Sequence, residues 1–151
     1  MTQLLLSLFS VLSIFFSCSF CGKNDNVTPN NSDMLSNRLI IKIDSSTFNA
    51  TLPDNPTTRA FKALLPLIVN MVDLNGNEKY VDLSRNLTTN ASNPGTIQAG
   101  DLMLYGSSTL VLFYKSFSTS YSYTRLGRID DVTGLAAAVG SGNVTATFEL
   151  Q

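Results

Sequence analysis

Few side chains in this 151-residue sequence can do chemistry, and the absences bound the function first. There is no His, so the chain cannot build a Ser-His-Asp or Cys-His site or a His-ligated metal centre. Both cysteines, Cys18 and Cys21, lie near the start, which leaves the body of the chain without a thiol. Asp130-Asp131 are adjacent carboxylates, but before a short helical stretch their simplest use is to cap it. Gly95-Thr96-Ile97-Gln98-Ala99-Gly100 has phosphate-loop glycine spacing. Asp101-Leu102 then stands where Lys-Ser/Thr would supply the counter-charge, which argues against a nucleotide. Asp73, Asn75, Asn77 and Glu78 resemble a fragment of a calcium loop. Such a loop takes about twelve residues and a terminal bidentate Glu, so a hairpin turn is the simpler reading. No metal and no cofactor is expected.

The most suggestive stretch is Tyr114-Lys115-Ser116-Phe117-Ser118-Thr119-Ser120-Tyr121-Ser122-Tyr123-Thr124-Arg125. Tyr and Ser together supply rigid amphipathic contact area and adaptable hydrogen bonding, the chemistry of a recognition loop. Lys115 and Arg125 flank it and could hold an anionic ligand. The candidate ligand-binding residues are therefore Tyr105, Tyr114, Lys115, Phe117, Tyr121, Tyr123 and Arg125. The competing reading is a polar connection whose rings merely cover a rim. The expected partner is a small molecule or a peptide. Lys and Arg number 10 against 11 Asp and Glu, a net charge of -1, so nothing favours nucleic acid.

Residues 4–16 are an apolar run of about 13, too short to span a bilayer but suited to a secretory signal. Ser17-Cys18 follows, and Phe15-Phe16-Ser17-Cys18 resembles a bacterial lipobox with Phe at its third position before Cys. The expected order is a signal peptide over 1–17, a flexible tether over 18–36 and a folded domain over 37–151. Cys18 would carry the lipid and fix the chain to the membrane of a bacterial cell envelope. Cys21, a plainly cleaved signal and a retained anchor are the alternatives. The Asn, Ser and Asp of 22–36 have no apolar period and cannot offset their ordering entropy.

Residues 38–43, 47–52, 67–74, 78–83, 101–105, 109–115, 124–129 and 143–150 read as strands. Asn75-Gly76 marks a hairpin. A helix is predicted over 56–65, capped by Asp54 or Asn55 with Pro56 at its first position. A second is predicted over 132–139, capped by Asp130 or Asp131 and closed by Gly140 in the left-handed conformation. Residues 86–100 read as a long polar loop. About eight short strands with two plug-like helices predict a mainly β protein, a closed barrel without exposed sheet edges.

Several segments carry a family resemblance. They run from Asp54-Asn55-Pro56-Thr57-Thr58-Arg59-Ala60-Phe61 through Asp73-Leu74-Asn75-Gly76-Asn77-Glu78-Lys79-Tyr80. They continue through Ala99-Gly100-Asp101-Leu102-Met103-Leu104-Tyr105-Gly106 to Tyr123-Thr124-Arg125-Leu126-Gly127-Arg128-Ile129. In this order they resemble the bacterial cyclophilin-like proteins over nearly all of 37–151. The resemblance implies an eight-stranded barrel closed by helices. Two functions then compete, with a passive structural module of the envelope as a third reading. One is a non-catalytic binding domain on an envelope lipoprotein. The other is a peptidyl-prolyl cis-trans isomerase or an accessory to flavin-linked redox chemistry. Cyclophilins use an Arg beside an apolar pocket that includes Trp and His, and this chain has neither Trp nor His.

Overall fold

Alternating burial along its strands sets the architecture of the domain, which the computed structural model describes over residues 36–151. In β1 (Arg38–Ile43) Leu39, Ile41 and Ile43 are fully buried, and in β10 (Val144–Leu150) Val144, Ala146 and Phe148 point inward. The other barrel strands are β2 (Ser46–Thr51), β3 (Leu67–Leu74), β4 (Glu78–Asp82), β6 (Asp101–Tyr105), β7 (Thr109–Phe113) and β9 (Thr124–Ile129). They close antiparallel in the order β1-β10-β3-β4-β7-β6-β9-β2. The predicted eight-stranded barrel is thus the observed fold. The signal segment, Cys18, Cys21 and the tether up to residue 35 lie outside the described residues.

Between β3 and β4, Asn75 and Gly76 have φ of 56° and 64°, as a type I′ turn requires. Asp73 Oδ1 accepts from the Gly76 N–H at 3.1 Å, so this carboxylate shapes the hairpin. Among the described residues no cluster could hold a metal ion.

Helix α1 (Pro56–Lys62) begins in a capping box: Asn55 Oδ1 accepts from Thr58 N, and Thr58 Oγ1 accepts from Asn55 N. It drives Phe61 into the barrel core, edge-on to Phe148 at 6.3 Å. The helix stops at Lys62, short of the predicted residue 65, because the next turns tighten: Leu64 N donates to Phe61 O and Leu65 N to Lys62 O.

Helix α2 (Leu135–Val139) is shorter than predicted, and neither aspartate caps it. Asp131 Oδ1 instead accepts from Thr133 N in a preceding turn, while Asp130 pairs with Arg38 at 2.9 Å. Val132 is held outside the helix against Gly100, where an added Cβ would approach Val132 Cγ1 to 2.6 Å. Gly140 has φ 57° but ψ −166°, not the left-handed helical value, and its carbonyl accepts from Lys79 Nζ at 3.0 Å.

Two further strands, β5 (Thr96–Ile97) and β8 (Phe117–Ser118), pair with each other outside the barrel. They join the polar loop read over 86–100 to the Tyr- and Ser-rich stretch that follows β7. The ribbon has a substrate to sit on. Leu102, Leu104, Leu110 and Leu112 belong to the barrel core, whereas Met103, Val111 and Phe113 alternate outward. Ile97, Phe117 and Tyr123 pack over that outer layer as a second apolar cluster.

Candidate ligand-binding cleft

Beside this ribbon the outer face of β4, β6 and β7 stays open as a cleft of about 390 Å³. Its walls are aromatic: Tyr80, Tyr105, Phe117, Tyr121 and Tyr123. Each is delivered by strand alternation or by the ribbon. Tyr80 is two residues from Glu78 on β4, and Tyr105 ends β6 opposite Thr109. Tyr105 meets Tyr121 edge-on at 6.1 Å and Tyr123 at 5.6 Å, while Phe113 meets Phe117 and Tyr123 at 5.7 and 5.5 Å. Buried Phe113 and Val111 thereby brace the exposed rings from below. Tyr105 and Tyr121 remain 46% and 62% exposed, unusual for rings with an apolar layer to cover.

The polar part of the lining is small and one-sided. Glu78 is its charged residue, with Asn75, Asn77 and Thr109 beside it. Burial, and secondarily the charge of Asp73, raises the Glu78 carboxyl above its usual value. Burial first and Glu78 second raise the Tyr123 phenol as well. Among the described residues the Glu78 carboxylate takes no hydrogen bond or ion pair. Asn77 Oδ1 is buried and takes none either. Thr109 is engaged, donating to Asp82 Oδ1 at 2.6 Å.

Behind the cleft lies a polar network centred on Asp73. Lys79, fully buried, donates to Asp73 Oδ2 at 2.7 Å, and the Tyr114 hydroxyl donates to the same oxygen at 2.7 Å. Burial and then this bond push Tyr114 up to about 12. The Lys79 and Tyr114 bonds, with that of Gly76, hold Asp73 below the usual carboxylate range. The network holds the hairpin that presents Glu78; its lysine is fully buried and its carboxylate keeps some contact with solvent.

Of the residues singled out in the sequence, Tyr105, Phe117, Tyr121 and Tyr123 come together in the cleft. Tyr114 is buried in the network behind it, and Lys115 holds its ammonium over the Tyr114 ring at 5.8 Å. Arg125 faces a second hollow of about 560 Å³ with Pro53, Asn55, Thr88 and Asn90, and pairs with the buried Asp101 at 3.2 Å. The sequence reading passed over Glu78 and Tyr80 as lining residues. A signal was present: the alternation that turns Val81 and Leu83 inward turns Lys79 inward too, and leaves Glu78 and Tyr80 outside.

A model of the cyclophilin-like family matches residues 41–149. No curated protein matches the sequence. Among solved structures, the solution structure of a hypothetical protein from Archaeoglobus fulgidus is similar, with a TM-score of 0.52 at 19% identity. The match covers 77% of this chain and 95% of the archaeal one, a likeness of fold. With its barrel, its two helices and a family match over most of its length, the chain belongs to the cyclophilin-like family.

Proposed function

We propose that this domain is a non-catalytic binding module for a small molecule or peptide, taken up in the tyrosine-lined cleft, on a lipoprotein anchored to the cell envelope through Cys18. The observation that carries the reading is the exposure of Tyr105 and Tyr121 around a hollow already floored by packed apolar side chains. Rings left open above a filled layer suit a partner that completes the packing. The absence of a guanidinium from the lining supports a non-catalytic role: Arg59, Arg38 and Arg125 are paired with Asp54, Asp130 and Asp101. Stabilising a twisted prolyl amide is work for such a donor.

The test is a ligand screen by thermal shift, followed by mapping on Tyr121→Ala. Hits in this cleft should weaken by about 1–3 kcal/mol in that variant. The melting temperature should barely change, since Tyr121 is exposed. A protease-coupled proline-peptide assay should show no acceleration; turnover lost with Tyr121→Ala would make the domain an isomerase. Cys18→Ala should abolish lipid labelling and membrane retention, and loss with Cys21→Ala instead would move the attachment site.

A further inference from the structure

We infer that the cleft, on the reading of it as the ligand site, binds its partner through an organic ammonium group held by the tyrosine rings and the Glu78 carboxylate. The sequence suggested the opposite sign, because Lys115 and Arg125 bracket the tyrosine-rich stretch. Folding removes that positive charge. Arg125 lines the other hollow and pairs with the buried Asp101, Lys115 sits over Tyr114, and Lys79 is consumed by Asp73 and two backbone carbonyls. What remains at the cleft is one carboxylate among phenol and phenyl rings.

Each remaining feature favours a cation. Ring faces carry negative quadrupole density and attract ammonium groups, more strongly where water is partly excluded. Two acceptors stand without partners among the described residues: the Glu78 carboxylate, and Asn77 Oδ1, which is buried. The Thr109 hydroxyl is spent on Asp82, and the donors left in the lining are neutral phenols and amides. An anionic ligand would meet a like charge, with neutral hydroxyls and amides as its only donors. An alkylammonium brings N–H donors and the missing counter-charge together, and its chain can lie on Val111 and Leu74. Burial already makes the Glu78 charge unfavourable, and a bound cation would relieve it.

The experiment compares butylammonium, butanol and butyrate, equal in chain length and different in head-group charge, on the full chain in zwitterionic nanodiscs. Ring-proton shifts of Tyr105 and Tyr121 are followed by NMR. Butylammonium should shift them saturably, about tenfold more tightly than butanol, with butyrate weakest. Glu78→Gln should erase the preference for butylammonium over butanol. Should that variant fail to fold, raising salt to about 0.5 M on the native chain must weaken butylammonium and leave butanol unchanged. Equal binding of butanol and butylammonium overturns the ammonium proposal and leaves the cleft as a ligand site. Preference for butyrate overturns it likewise. No saturable ring shift with any probe overturns both.

Discussion

Every proton of the Lys79 ammonium is committed, to Asp73 Oδ2 at 2.7 Å and to the carbonyls of Gly140 at 3.0 Å and Gly142 at 2.5 Å. Its side chain is fully buried, so these bonds tie the β3–β4 hairpin to the link between α2 and β10 with no water to replace them. Lys79→Met should therefore cost about 1–3 kcal/mol in denaturant unfolding, the range for leaving buried hydrogen-bonding groups without a partner. The neighbouring acids respond to pH with opposite sign. Asp73 titrates below its usual value in the fold, chiefly through Lys79 and Tyr114. Its contribution is thus present above the ordinary carboxylate range and lost as pH falls through the lowered folded value. Lys79→Met should flatten this acid limb. Glu78 titrates above its usual value, so the fold prefers it protonated. Glu78→Gln should then raise the melting temperature at pH 7, and the gain should vanish as pH falls through the raised value to the ordinary one. A Glu78→Gln variant less stable at pH 7 would give the carboxylate a structural role instead. Among these residues the burial of Lys79 was legible from alternation, but its partners lie 61 and 63 positions away and were not.

At the scale of elements, local chemistry and distant pairing divide the outcome. The capping box of α1 is local: Asn55, Pro56 and Thr58 satisfy the first turn by themselves, and Thr58 also donates to the Pro53 carbonyl at 2.5 Å. Asn55→Ala should cost about 0.5–2 kcal/mol in thermal unfolding, the range for a lost N-cap. A smaller loss would mean that Thr58 holds the turn alone. The bounds of β3, β6 and β9 match those read from the sequence, because each carries enough alternation or apolar run to declare itself. The ribbon was missed. Two-residue strands have no period, and β5 and β8 form only because Ile97 and Phe117 find the apolar outer face of β6 and β7. Ile97 is fully buried there. Ile97→Ala should cost about 2–5 kcal/mol. It should also speed amide exchange in the ribbon more than in β1 or β10, since its lost contacts lie in the outer cluster. Uniform acceleration across the barrel would show that the ribbon is not a separate unit.

For the whole molecule the weakest join is where the barrel closes. β2 meets β9 through two registered pairs, Ala50 with Ile129 and Thr51 with Arg128, against five or six along either side of β1. Close approach compensates in part: a Cβ on Gly127 would come within 2.7 Å of Thr51 O and 2.6 Å of Leu52 Cδ2. Asp130 adds side-chain bonds across the seam, pairing with Arg38 and accepting from Thr51 Oγ1 at 2.8 Å. Gly127→Ala should destabilise by about 1–3 kcal/mol by forcing these strands apart. Among barrel amides, those of the β2–β9 seam should exchange first, as hydrogen exchange can check. The sequence by itself determined the eight barrel strands, the Asn75-Gly76 turn, the first helix start and the closed barrel, because these follow from period, capping and φ preference within a few residues. Tertiary structure alone decided the charge of the cleft. Pairing of β4 with β7 sets Glu78 opposite Phe113, beneath the aromatic cover. The register shift between Leu102 and Met103, where β6 meets β9, accompanies the pairing of Arg125 with Asp101 in another hollow. Tyr123 and Arg125, two positions apart in the chain, thus face different hollows, since register is fixed by long-range packing that local spacing does not encode.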